Sequence, residues 1–267
     1  VVNWKTYYLI LTYKKIALSR GLFFYLSMKK MKALCVFLFY VVLLFMACKA
    51  EPNQMNKDLS SDRYNVAFLI MDGVYNTELT APYDIFQHTQ YRDGIKAMNV
   101  YTIAQSLDPV RSFEGLKILP DYSYKGNYPK PDILVVPSAE HHLDSDLDNH
   151  EMINWLRKEA MEAEYVTSHC DGAFVLAKAG LLNGIASTTF PSDIGAYKQM
   201  FPALDVRDSI LFVHDGKFIT SVGGARSFEA ALYLCEHLYG KKIAERLAEG
   251  LVIDWDLQTL NYLKIED

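Results

Sequence analysis

The chain has 267 residues, 51% hydrophobic and 22% charged, with a formal net charge of −5, which supplies a sizeable core, excludes general disorder and fits one domain or at most two. Charge is unevenly spread: residues 1–47 hold Lys5, Lys14, Lys15, Arg20, Lys29, Lys30 and Lys32 and no carboxylate, leaving 20 cations against 32 anions beyond them. An acidic body repels phosphate backbones, so no nucleic-acid partner is expected.

In chain order, residues 1–27 mix Trp, Tyr, Lys and Leu without a clean period and contain no Met before Met28. They are read as an upstream extension foreign to the natural product, with an amphipathic leader as the rival. Ala33 to Ala47 is a run of fifteen apolar residues behind Met28-Lys29-Lys30-Met31-Lys32. This is the layout of a secretory signal peptide over 28–47, and the run is short of the roughly 20 residues a permanent span needs. Small Ala47 before Cys48 suits cleavage, and the segment resembles a bacterial lipoprotein signal in which the Cys after the cut is lipidated. Phe45 and Met46 stand where such signals usually carry Leu and a small residue, and an uncleaved anchor is the alternative. Residues 48–63 are polar, contain Pro52 and read as a lipidated tether. The expected location is therefore the cell envelope, anchored by lipid to a bacterial membrane, with the domain proper spanning 64–267.

From Tyr64 the pattern alternates. Tyr64 to Met71 reads as a buried parallel strand, and Glu78 to Thr89 as a helix with Pro82 in its first turn. Val100 to Ala104 and Gly115 to Leu119 are weaker strands, and Asp132 to Pro137 a further buried one. Asp148 with Glu151 predicts a capping box before a helix through Ile153, Leu156 and Ala160. Tyr165 to His169 is a strand, Gly172 to Ala179 a helix ended by Gly180, Phe218 to Val222 a strand and Phe228 to Tyr239 a long helix. Such alternation predicts a three-layer α/β sandwich with a mostly parallel sheet, whose ligands sit at the carboxyl ends of the strands. That rule selects the loops after Met71, Pro137 and His169.

The third loop carries the strongest chemistry. Ser168-His169-Cys170-Asp171-Gly172-Ala173 sets a thiol between strand and helix with small neighbours, the pattern of a nucleophile elbow. A helix N-terminus there favours thiolate. The competing reading is a small buried hydrophobe. Glu78 starts the first helix and faces the same sheet end, where a carboxyl beside a thiol can donate a hydrogen bond or move a proton; alternatively it only complements the helix dipole. His141, His142, Asp144, Asp146, Asp148 and His150 crowd one loop but lack ligand spacing, so no metal is expected and a polar loop explains them. Cys235 falls on a helix's apolar stripe, and no disulfide framework is indicated.

VAFLIMDGVYNTELTAPYDIF, PDILVVPSAE, SHCDGAFVLAKAGLLNGIASTT and FITSVGGARSFEAALYLCEHLYG, in that order over about residues 64–250, resemble the DJ-1/PfpI superfamily. The likeness is nearest to the branch of isonitrile hydratases and the amidotransferase-like domains of AraC-type regulators. It implies a flavodoxin-like sandwich, Cys170 poised by the Glu78 carboxyl with Asp171, Ser138 and Gly172 in support, no cofactor, and a homodimer. It does not choose among reactions. Many members carry His after Thr-Thr, where this chain has Phe190, so a Cys-His pair loses support. His169 precedes the Cys on a strand and is expected to pack on the opposite face. Asp171 replaces the Thr common in the hydratase branch and should raise the thiol pKa. Ser138-Ala139 replaces a frequent Gly-Gly. The resulting expectation is a membrane-tethered Cys-Glu site of hydratase or hydrolase type acting on a small electrophile. The alternative is a non-catalytic ligand-binding or redox-sensing domain.

Overall fold

The computed structural model describes residues 59–265, together with Lys15 and Leu18. The chain divides into two units, 1–53 and 54–267. The signal peptide, Cys48 and most of the tether lie outside the described residues.

Strand β1 (Tyr64–Leu69) owes its central place to a run that is apolar on both faces. Val66 and Phe68 enter one core and Ala67 and Leu69 the other, all at most 1% exposed. Period-two alternation between two apolar faces forces layers above and below the sheet. Above lie α1 (Asn76–Gln87), α5 (Ser227–Tyr239) and α6 (Lys241–Glu249); below lie α2 (His150–Glu162) and α3 (Gly172–Lys178). A further short helix, α4 (Ile194–Met200), adds Tyr197 to the second core.

Among the described residues the main sheet has eight strands. They are β1, β2 (Met98–Ala104), β5 (Tyr122–Ser123), β6 (Ile133–Val136), β7 (Tyr165–His169), β10 (Phe212–Asp215), β11 (Phe218–Ser221) and β12 (Leu263–Lys264), in the order β12-β10-β11-β7-β6-β1-β2-β5. Every pairing is parallel except β10 with β11. The expected three-layer, mostly parallel α/β sandwich is what the chain forms. After β1 the chain builds outward through β2 and then returns to β6 on the other side of β1, so the carboxyl ends of β1 and β6 flank the crevice where ligands collect in such sheets.

Three local expectations need correction. Gly115–Leu119 gives only β4 (Lys117–Ile118), which pairs antiparallel with β3 (Val110–Arg111) as a ribbon outside the main sheet. Pro82 lies beyond the first turn, because α1 begins two residues before Glu78. The cap of α2 is Asn149, whose side chain accepts from Met152 N at 3.1 Å, while Asp148 ends a 3-10 turn. Asn accepts from the third-residue amide as well as Asp does, so the cap falls to whichever residue the preceding turn delivers. Strands β10 and β12, at the antiparallel end of the sheet, and helices α4 and α6 had no sequence forecast. Two-residue pairs β8 (Ala186–Ser187) and β9 (Asp205–Val206) form a small separate sheet. Among the described residues no helix is long and apolar enough to cross a membrane.

Candidate functional site

Cys170 leaves β7 with φ of 52°, one of three non-glycine residues with positive φ among the described residues. A side chain held in this sparsely populated region marks a sharp, over-determined turn. Three contacts impose it. Cys170 N donates to Ser221 O at 2.9 Å. Gly172 packs so close to β6 that a Cβ there would stand 2.1 Å from Val136 O, and a Cβ on Gly223 would stand 2.4 Å from Cys170 Cβ. The turn at Cys170 is thus sharp and tightly packed, with an additional glycine 53 residues away closing on it.

Around the sulfur the polar groups are few and buried. Glu78, 5% exposed, projects from α1; its Oε1 accepts from Gly224 N at 3.0 Å and its Oε2 is buried with no hydrogen-bond partner. Burial lifts the carboxyl above the ordinary range, the Gly224 amide opposes this, and the thiol and Asp171 both act on it. Asp171 Oδ2 lies 3.5 Å from Cys170 Sγ, and the Thr189 hydroxyl is 3.0 Å from both Asp171 Oδ1 and the Cys170 carbonyl. Burial, then the charge of Asp193, pushes Asp171 up to about 6. The thiol is pushed well above its usual value by burial first and then by Glu78 and Asp171; the Ser138 hydroxyl and the Asp171 N–H pull the other way. Burial first, with Glu78 and Asp171 adding to it, therefore outweighs the N-terminus of α3.

Each named residue can be placed. Cys170 and Glu78, which the sequence paired, act on one another. Asp171 and Ser138 both act on the thiol; the Ser138 hydroxyl is buried without a hydrogen-bond partner, and its carbonyl accepts from Tyr75 N at 3.0 Å. Gly172 acts through close packing. His169 is 1% exposed and its Nδ1 lies 2.9 Å from Ser221 Oγ, while burial holds it down to about 3. His142 is fully buried, with Nδ1 accepting from Ala139 N at 3.3 Å and Nε2 3.1 Å from Met71 Sδ. Burial pushes it down to about 3, so it is neutral. Phe190 is 39% exposed at the surface. Among the described residues no group of three or more His, Cys, Asp or Glu side chains is gathered to hold a metal. Cys235 is fully buried in α5, and it and Cys170 are free thiols.

Sequence reasoning missed Thr189, Gly223, Gly224 and Tyr75. Tyr75 caps α1 by position, packs against Phe113 with ring centroids 4.6 Å apart, and has its phenol pushed up by burial and then by Cys170 and Glu78. The Gly223-Gly224 pair was the one visible signal, since adjacent glycines after a strand announce close backbone approach.

The profile of the DJ-1/PfpI family matches residues 64–237. Isonitrile hydratase of Pseudomonas putida is 30% identical over 183 residues, 67% of this chain and 74% of that protein. The HTH-type transcriptional regulator GbdR of Pseudomonas aeruginosa is 22% identical over 190 residues, and this chain spans about half, 51%, of its length. Among solved structures, a ThiJ/PfpI family protein from Pseudomonas syringae superposes with a TM-score of 0.64 at 25% identity, covering 79% of this chain and 85% of that one. Drosophila melanogaster DJ-1beta gives 0.59 at 23% identity, covering 72% and 100%.

Proposed function

The chain belongs to the DJ-1/PfpI family, and on that premise we propose that Cys170 and Glu78 form a small-molecule site of hydratase or hydrolase type. One observation carries this reading: Glu78 Oε2 is buried, unpartnered and beside a thiol held at a strained elbow. A buried carboxyl whose pKa desolvation raises can both receive a thiol proton and return it. The similarity to isonitrile hydratase suggests the terminal carbon of an isonitrile as the electrophile. Sulfur bonds to that carbon while the thiol proton passes through Glu78 to the substrate. Water then adds to the same carbon, the C–S bond breaks, and the thiol regains its proton, so that one water is added overall. The Asp171 N–H and the Ser138 hydroxyl stabilise charge on sulfur as it develops.

Glu78→Gln tests this. It keeps the Gly224 hydrogen bond and removes the proton carrier, so turnover of cyclohexyl isonitrile should vanish while iodoacetamide still labels Cys170. Full activity in that variant defeats the mechanism.

A second reading, a non-catalytic ligand-binding or redox-sensing domain, is favoured by Asp171 at 3.5 Å, which disfavours thiolate. A compound that raises the melting temperature without being consumed supports it, and multiple turnovers exclude it. In either case residues 28–47 act as a cleaved signal and lipid on Cys48 tethers the domain to a bacterial membrane, as a homodimer. These proposals rest on the sequence and the family; the mass of the mature protein and light scattering test them.

A further inference from the structure

Strand β12, at the edge of the main sheet, is fastened to β10 beside a cluster of basic groups. Two residue pairs join the strands, Val213 with Leu263 and His214 with Lys264. Leu211 N donates to Asn261 O on one side of them and Ile265 N to His214 O on the other, both at 2.8 Å. Tyr262 stacks on Phe212 with centroids 4.9 Å apart. His214 is 4% exposed, and its Nδ1 lies 2.7 Å from the Tyr233 hydroxyl of α5. The His237 ring, also from α5, stands edge-on at a centroid distance of 5.1 Å, and the Tyr165 ring of β7 at 6.3 Å. Lys264 acts on both imidazoles. The neighbouring carboxylates are engaged elsewhere: Asp215 Oδ2 accepts from Ala186 N at 2.7 Å, and Glu236 Oε2 from Trp255 Nε1 at 2.6 Å. Strand β11, Phe218–Ser221, contributes no titratable side chain.

We propose that β12 is an acid-released latch: protonation of His237 and His214 sets three cations against one another at the seam with β10, and the strand lets go so that the His214 ring reaches water. Burial first, then His237 and Lys264, holds His214 down to about 4, while the Gly216 backbone and Asp215 pull the other way. His237 is lowered by burial and then by Lys264. An imidazole in water takes up its proton at about 6.5. The closed strand is therefore fully favoured above about pH 6.5 and loses ground as pH falls toward 4. A two-residue pairing opens locally while the core of the sheet stays closed. Release reaches the thiol site through the backbone. Leu211 loses Asn261, and its carbonyl accepts from Val222 N at 3.0 Å, next to the glycine pressed against Cys170. The latch operates whichever reaction the thiol performs.

Amide hydrogen exchange read by NMR on the purified full chain, at pH 7 and at pH 4.5, tests it, each rate being divided by its unstructured-chain value at the same pH. The amides of Leu211 and Ile265 donate across the seam, whereas that of Ile70 donates to Ile103 O at 2.9 Å in the middle of the sheet. Between the two pH values the protection of Leu211 and Ile265 should fall relative to Ile70 by about tenfold or more. The limit is roughly 60-fold, reached when a ring held at about 4 in the closed strand titrates at about 6.5 once released. His214→Asn, which takes no proton in this range, should abolish the fall. His237→Gln and Lys264→Gln, at exposed positions, should each lessen it, and they decide the matter where His214→Asn fails to fold. Unchanged protection in wild type, an equal loss at Ile70, or a fall that is undiminished in the folded variants overturns the proposal.

Discussion

Gly223→Ala separates two costs that the elbow imposes on its neighbour. Gly223 has φ of 78° and ψ of −155°, a region open essentially to glycine alone. An added Cβ would stand 2.4 Å from Cys170 Cβ, 2.7 Å from its amide nitrogen and 2.9 Å from its Cα. Backbone strain of this kind costs about 1–3 kcal/mol, and forcing an extra carbon into a packed site about 1–3 kcal/mol more. The sum is roughly 2–6 kcal/mol, or about 4–24 °C in Tm for a domain near 200 residues. Gly240→Ala is the control. Its φ of 83° and ψ of 161° lie in the same region, yet nothing stands within 4 Å of an added Cβ. It therefore bears the strain alone, about 1–3 kcal/mol. Urea denaturation of both variants, with iodoacetamide labelling of Cys170 in the folded state, reads the difference. Gly223→Ala should unfold at the lower urea concentration and alter the labelling rate, because displacement of residue 223 moves the Gly224 amide that holds Glu78. Equal midpoints and an unchanged labelling rate would refute the claim that Gly223 closes the elbow.

Four further outcomes follow from the structure. Asp171→Asn removes a carboxylate 3.5 Å from the sulfur; at an effective dielectric of 20 that charge is worth at most about 5 kcal/mol, so labelling near neutral pH should rise by about tenfold or more, and no increase counts against it. In the folded state Asp171 titrates at about 6 against about 3.9 unfolded. Its penalty is thus absent below about pH 4 and complete above 6, so Asp171→Asn should gain up to about 3 kcal/mol at pH 7 and nothing at pH 4. His169, at about 3 when folded and about 6.5 unfolded, contributes stability that is lost as pH falls from about 6.5 toward 3. His169→Asn should therefore lower the slope of unfolding free energy against pH in that window by up to about 1.4 kcal/mol per unit, and an unchanged slope would show that the ring takes up its proton in the folded protein. Phe68→Ala, fully buried between Tyr83 and Phe86 at centroid distances of 5.3 and 6.1 Å, should cost about 3–5 kcal/mol in urea denaturation.

The sequence by itself determined the layers and the elbow. Tyr64 to Met71 is apolar on both faces, and a strand with two apolar faces has to lie between helices. Ser168-His169-Cys170-Asp171-Gly172-Ala173 named the thiol because a sharp strand-to-helix turn admits only small neighbours, a requirement that is local in the chain. Position 78 was legible as a carboxyl at the same sheet end, since strand order fixes which loops meet there. Tertiary structure decided the rest. The Ser138 carbonyl is taken up by the amide of Tyr75, 63 residues earlier in the chain. The state of Glu78 depends on an amide 146 residues away, and no local pattern encodes a bond of that span. Cap choice at Asn149 over Asp148 followed from the turn before it. Strands β10 and β12 were invisible because short strands carry little periodicity and are chosen by the neighbour they pair with. The thiol's raised pKa has the same origin. The helix end that would lower it is written in sequence, but the burial that outweighs it exists only once both cores have closed around the turn.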